Sequence, residues 1–312
     1  MSVKGAVKAW NQFFFAPVSP LPIAVFRILF ALLVIADLVL LSPDWLAWFG
    51  QDGWVSMATV RKLEPGVRIN LFALMPAGDL WPEVLFWVFL AFALFLLMGF
   101  MTRASSIAVF ICLASIQQRN PYIIHPGDTF MRVAGFFLMF APAGAAFSLD
   151  RLIRIRRGRE GPEIAPRSPW AQRMIQFELA FAYLTACWWK TMGSDWVDGT
   201  AVYYVWHLDQ FRRFPVPAFL QNMIAVRIES WLTMSIEFSL GVFVWFKELR
   251  YAVLLLGLLL HLSIEYSMNV PLFEWALLSA YVLFIDPDDL QRAMRWVRAR
   301  FRMRAAAVRQ PE

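Results

Sequence analysis

Lys190 follows Trp188 and Trp189 at the end of a long apolar run, and His261 precedes Glu265 by four residues in another. A lysine in such a place has two readings. It snorkels to a membrane interface beside an aromatic belt, or its tryptophans desolvate it and hold it as a neutral amine able to act as a base. His261 and Glu265 share one helical face, so the carboxylate can orient or charge the imidazole; the alternative is a plain hydrogen bond between helices. Glu178 sits inside a further apolar run and completes, with these three, a candidate set for moving protons. A second set, Asn120, His125, Asp128, Arg132, Asp195, Trp196 and Asp198 near the ends of runs together with Glu237 inside one, reads as the lining of a cavity. The three histidines and scattered carboxylates show no metal-ligand spacing, so no metal site is expected.

The elements that must position these residues follow from composition. The chain has 312 residues, of which 60% are hydrophobic and 17% charged, with a mean hydropathy of +0.55. A soluble protein carries roughly a quarter charged residues. The apolar excess falls into runs long enough to cross about 30 Å of hydrocarbon as helices. These runs are continuous, not alternating, which excludes strands. They predict an all-α, polytopic membrane bundle of eight spans, near 21–42, 82–101, 104–119, 129–149, 171–191, 224–246, 251–267 and 270–286. The expected organisation is a cytoplasmic N-terminal segment over 1–20, a transmembrane domain over 21–290 and a basic cytoplasmic tail over 291–312. A soluble enzyme and a secreted disulfide scaffold are excluded. Cys112 and Cys187 lie inside apolar runs and read as free buried thiols.

Loop charge orients the bundle. With both ends cytoplasmic, 19 of the 29 Lys and Arg residues fall inside, 6 outside and the other four (Arg27, Arg132, Lys190 and Arg227) within spans. That asymmetry is the positive-inside pattern. The net charge of +6 therefore does not mark a nucleic-acid binder: the basic segments 151–173 and 292–309 are expected to contact anionic lipid headgroups. Arg292, Arg295, Trp296, Ala299 and Arg302 fit a helix lying along the inner surface. Charges within a bilayer cost several kcal/mol unless paired or facing a cavity. Arg27 and Arg132 are expected to neutralise Asp37 or glutamates of neighbouring spans. Most of the remaining buried charge, Glu229 and Glu274 included, lies toward the outer ends, with Glu237 and His261 deepest. The expected result is a cavity open to the outside or to the outer leaflet, not an ion pathway through the full thickness.

The segment from Phe181-Ala182-Tyr183-Leu184 through Lys190-Thr191 to Asp195-Trp196-Val197-Asp198-Gly199-Thr200 resembles the strongest motif of the vitamin K-dependent gamma-carboxylases and their bacterial relatives, the HTTM (horizontally transferred transmembrane) domain proteins. Two further stretches are similar: Arg119-Asn120 through His125-Pro126-Gly127-Asp128 to Ser148-Leu149-Asp150, and His261 through Asn269 and Phe273 to Asp286-Pro287. The resemblance implies a helical membrane domain with a hydrophobic cavity for a reduced naphthoquinone, menaquinol or vitamin K-like, in the bacterial inner membrane. It further implies a lysine that deprotonates the hydroquinone, and a peptide or lipid as substrate. In the carboxylases two lysines are adjacent and the second is the base; the first matches Lys190 and the second Thr191, so Lys190 would need a register shift of about one residue. Asn120 is followed by Pro121 where the family has an asparagine–histidine pair, and His125 is the candidate substitute. The large luminal domain of the carboxylases has no counterpart before the chain stops. Three functions follow as expectations: a quinol-coupled membrane enzyme doing base chemistry, a non-catalytic accessory protein for peptide maturation, export or immunity, and a small-molecule transporter.

Overall fold

The computed structural model describes residues 2–63 and 70–307. Arg68 and Arg309, both counted in the charge pattern above, lie outside the described residues. Among the described residues eleven helices have eight or more residues: α1 (Val3–Phe15), α2 (Leu21–Leu41), α3 (Leu80–Met98), α4 (Thr102–Arg119), α5 (Pro126–Leu138), α6 (Trp170–Met192), α7 (Met223–Val242), α8 (Arg250–Ser267), α9 (Phe273–Ala280), α10 (Pro287–Ala307) and, between α5 and α6, the short helix Leu149–Arg156. Among the described residues no strand forms; only two isolated bridges do, Val18 with Arg167 and Arg212 with Met268.

Each of the eight expected spans falls on a helix, but two stretches, Leu21–Phe49 and Leu80–Met98, are long and apolar enough by themselves to cross a membrane. The others depart from that standard for identifiable reasons. Helices α6 and α7 carry Gln172, Arg173, Gln176, Glu178 and Lys190, and Arg227, Glu229 and Glu237. Helix α5 has 13 residues and gives way before Pro142 and Gly144 to a turn that ends on Phe147 at φ +50°. Helix α9 has 8 residues and tightens into a 3₁₀ turn over Tyr281–Phe284. The bundle is apolar outside as well as inside: Leu40, Trp87, Leu94, Leu255 and Leu259 are all exposed. Large apolar side chains all around a helix are what hydrocarbon, not water, accommodates.

Phe26 and Phe30 of α2, Phe89 and Leu96 of α3, Leu138 of α5 and Ile175 of α6 form the fully buried centre. Several polar side chains packed against it find backbone carbonyls. Gln172 and Gln176, one turn apart on α6, both donate to Leu283 O (3.1 and 2.7 Å) where the last 3₁₀ turn ends. Trp45 Nε1 donates to Pro82 O at 2.9 Å and joins the loop after α2 to α3.

Arg27 does not pair with Asp37 as its sequence position suggested. It is fully buried and donates to the carbonyls of Ala143 (2.9 Å), Ala146 (3.4 Å) and Phe147 (2.6 Å). The turn after α5 presents several carbonyls that no helix satisfies, and a guanidinium has donors enough for three. Gly99, at φ +65°, ends α3 beside it; a Cβ there would lie 2.4 Å from Ser148 Cβ and 2.5 Å from Arg27 Nη1. Asp150 accepts from the amides of Met101 (2.8 Å) and Thr102 (2.7 Å), capping α4 from across the turn. The Ser148-Leu149-Asp150 motif is therefore an assembly of caps. Nearby, Glu160 accepts from Arg151 Nε (3.1 Å) and Arg154 Nε (2.6 Å).

Two outcomes follow. Arg27→Met strands three carbonyls and should lower unfolding stability by about 3 kcal/mol in mixed-micelle denaturation. The two guanidiniums hold the Glu160 carboxyl below its ordinary pKa of 4.5. A depressed carboxyl contributes stability that is complete above the unfolded pKa and is lost as pH falls through the folded one. The Tm advantage of the native chain over Glu160→Gln should therefore be constant at neutral pH and shrink below about pH 4.5.

Candidate functional site

A cavity of about 1170 Å³ opens between α5, α6, α7, α8 and α9. Helix periodicity aims the polar residues at it. On α6, Tyr183 and Lys190 are seven residues apart, two turns along one face, with Glu178 further along the wall. On α7, Glu229, Thr233 and Glu237 follow one another at four-residue intervals and all line it. Helix α8 adds His261 and α5 adds Phe130 and Val133. Trp189, Trp196, Phe181 and Leu277 make much of the remainder of the wall apolar.

Two polar assemblies stand in this cavity. In the first, Lys190 Nζ donates to Glu237 Oε1 at 2.5 Å. The ammonium also lies 5.0 Å from the centroid of the Trp196 ring, within cation–π range. Glu237 Oε2 and Glu178 Oε2 are both buried without a partner. In the second, Tyr281, Tyr183, His261 and Glu274 are linked in a row. The tyrosine hydroxyls are 2.9 Å apart, Tyr183 Oη is 2.5 Å from His261 Nε2, and His261 Nδ1 donates to Glu274 Oε2. With Nδ1 so engaged, Nε2 is left to accept from Tyr183, which in turn accepts from Tyr281. Gly257, one turn before His261, makes room for this row: a Cβ there would lie 2.3 Å from the Tyr281 hydroxyl.

The expected partner of His261 was Glu265, and this is corrected. Glu265 faces the other way and accepts from Arg213, whose guanidinium also reaches the Glu265 carbonyl. Glu274, reached through a turn in which Leu272 takes φ +60°, supplies the carboxylate instead. Thr191 is exposed and its hydroxyl donates to Trp188 O at 2.7 Å, so Lys190, not its neighbour, reaches the cavity.

The residues expected to line the cavity separate into two groups. Trp196 and His125 do line it. Asn120 does not: it is fully buried at the end of α4, where its Oδ1 accepts from Tyr122 N at 3.3 Å. Its neighbour Arg119 is buried as well and donates to Gly50 O and Val55 O, both at 2.6 Å, which ties down the loop after α2. His125 and Asp128 cap α5: His125 Nδ1 accepts from Gly127 N (3.1 Å) and Asp128 Oδ2 from His125 N (2.9 Å). Arg132 follows Asp128 by one turn and is half-buried. Asp195 and Asp198 fold the turn after α6, where the Asp195 carbonyl and Asp198 Oδ1 accept from Thr200 N at 2.7 and 3.2 Å. Gly199, at φ +82°, lets this turn lie against Arg227, whose Cγ would be 2.8 Å from a Cβ. The Asp-Trp-Val-Asp-Gly-Thr motif thereby holds Trp196 against Lys190. Tyr183, Tyr281 and Glu274 were missed as a unit. The seven-residue interval from Tyr183 to Lys190 was the available signal; Glu274 had none beyond being a charge in an apolar run. Among the described residues no cluster of three or more His, Cys, Asp or Glu could hold a metal ion.

The family profile described as HTTM domain matches residues 15–288. No solved structure matches the chain.

Removing one partner of a buried ion pair leaves an uncompensated charge, whereas removing both need not. Lys190→Met and Glu237→Leu should each lower stability by about 3 kcal/mol, and the double variant by clearly less than their sum. Additive losses in that double-mutant cycle would contradict the pairing.

Proposed function

The chain belongs to the HTTM domain family, membrane-associated and related to the gamma-carboxylases, and from that premise we propose that it is a multi-pass membrane enzyme binding a reduced naphthoquinone, with Lys190 as the base. All eight expected spans cross the membrane in this reading, in a bacterial inner membrane with both ends cytoplasmic and the cavity facing the outer side. The basic segments 151–173 and 292–307 lie against anionic headgroups. The observation that carries the proposal is the placement of Lys190 Nζ, 2.5 Å from Glu237 Oε1, in the wall of a large and mainly apolar cavity.

The residues suit such a ligand. Drug-sized ligands occupy roughly 300–1,000 Å³, and the aromatic wall of this 1170 Å³ cavity offers stacking surface to fused rings and a prenyl chain. The unpartnered carboxyl oxygens of Glu178 and Glu237 offer acceptors to hydroxyl groups. The naphthoquinol, when bound, supplies reducing equivalents and an acidic hydroxyl.

The protein's own part is to move protons. In a low-dielectric cavity, passing one proton from Lys190 Nζ to Glu237 Oε1 removes two charges at once and leaves a neutral amine. That amine accepts a proton from a ligand hydroxyl, and the returning ammonium is held by Glu237 and the Trp196 face. Tyr183 and Tyr281 form a second route, handing a proton toward His261 Nε2 while Glu274 stabilises the imidazolium at Nδ1. Glu265, which pairs with Arg213, has no part in this relay.

Purified protein should be stabilised thermally by a menaquinol analogue. Lys190→Ala should retain binding within about tenfold but lose ligand deprotonation, seen as proton release in calorimetry across buffers of different ionisation enthalpy. The absence of any thermal shift at saturating ligand would contradict the reading.

A further inference from the structure

Carboxyl groups outnumber lysines and arginines in the cavity wall. Glu178, Glu229 and Glu237 line it, and Lys190 is the one lysine or arginine among the lining residues. Lys190 is already taken up by Glu237 Oε1. Both lining histidines already have partners: His261 meets Glu274 and Tyr183, and His125 Nδ1 accepts from Gly127 N. Glu237 is only 8% exposed, yet its Oε2 meets no donor, and neither does the buried Oε2 of Glu178. A buried carboxyl oxygen without a donor is costly, and here two of them belong to residues of one cavity.

We infer that the cavity selects a lipid-like primary amine as its second ligand and rejects the carboxylate of the same chain length. The inference rests on the reading of this cavity as a ligand site and narrows the substrate class that site takes. An ammonium carries three donors and no acceptor, which matches carboxyl oxygens that lack donors. A carboxylate brings only acceptors, and it would place like charge beside like charge where little water screens them. The apolar wall, with Phe181, Trp189, Leu260 and Leu277, takes the tail. A substrate whose reacting group is a free carboxylate therefore fits this chain poorly, whatever the chemistry of its relatives.

The test compares dodecylamine, dodecanol and dodecanoate binding to the full chain in zwitterionic nanodiscs, each corrected for partition into empty discs. The amine should bind at least about tenfold more tightly than the carboxylate, with the alcohol between. In Glu178→Gln that ratio should fall severalfold, with dodecylamine binding weakened more than dodecanol binding. Glu229→Gln, at a half-buried position, gives the same reading should the first variant fold poorly. Equal or tighter binding of dodecanoate, or an amine preference untouched in both variants, would overturn the inference. Menaquinol-analogue binding is measured on the same discs. If it persists while the amine preference is absent, only this inference falls; if it is lost while the preference persists, only the quinol reading falls.

Discussion

In a membrane the cost of an unpaired charge governs everything else, because hydrocarbon offers neither solvation nor screening. The Lys190–Glu237 pair is where this constraint acts most visibly. Two residues on neighbouring helices, 47 positions apart in the chain, must meet in one cavity, so α6 and α7 must be apposed at that depth. The turn after α6 serves the same end by folding on Asp195, Asp198 and Gly199 so that Trp196 covers the ammonium. Elsewhere in the bundle Arg27 meets the same problem with backbone carbonyls in place of an ion-pair partner. One physical rule thus yields an ion pair where a cavity is needed and a carbonyl clamp where only packing is.

The helices were legible in the sequence because their apolar runs are continuous and not alternating, although among the described residues two stretches, Leu21–Phe49 and Leu80–Met98, are long and apolar enough by themselves to cross a membrane. Their ends were less so. The break after Leu138 and the 3₁₀ turn at Tyr281–Phe284 depend on what packs against them. The N-terminal segment folds as helix Val3–Phe15, with Phe14 stacked on Phe177 of α6, a contact that no local pattern announces.

The site was legible residue by residue and not as an arrangement. Lys190, Glu237, Glu178, His261 and Trp196 were chosen because charged or aromatic groups in apolar runs are costly or interfacial, and all line the cavity. The same criterion cannot tell a cavity residue from a cap. Asn120, His125, Asp128, Asp195 and Asp198 are the residue types that shape turns and helix starts, and turns are what most of them shape here. Partner assignment failed where it relied on spacing alone. Helical proximity favoured Glu265 for His261, but the turn at Leu272 brings Glu274 to the imidazole while Arg213 claims Glu265.

Membership in the HTTM domain family fixes the broad class, and the chemistry proposed turns on where Lys190 points when the cavity is filled. The direct measurement is a structure of the chain in nanodiscs with a redox-inert naphthoquinol analogue. The account predicts the analogue within the α5–α9 cavity, with one ring oxygen at hydrogen-bond distance from Lys190 Nζ and Glu237 still beside it. An analogue bound elsewhere, or bound there with Lys190 turned out toward lipid, would contradict it.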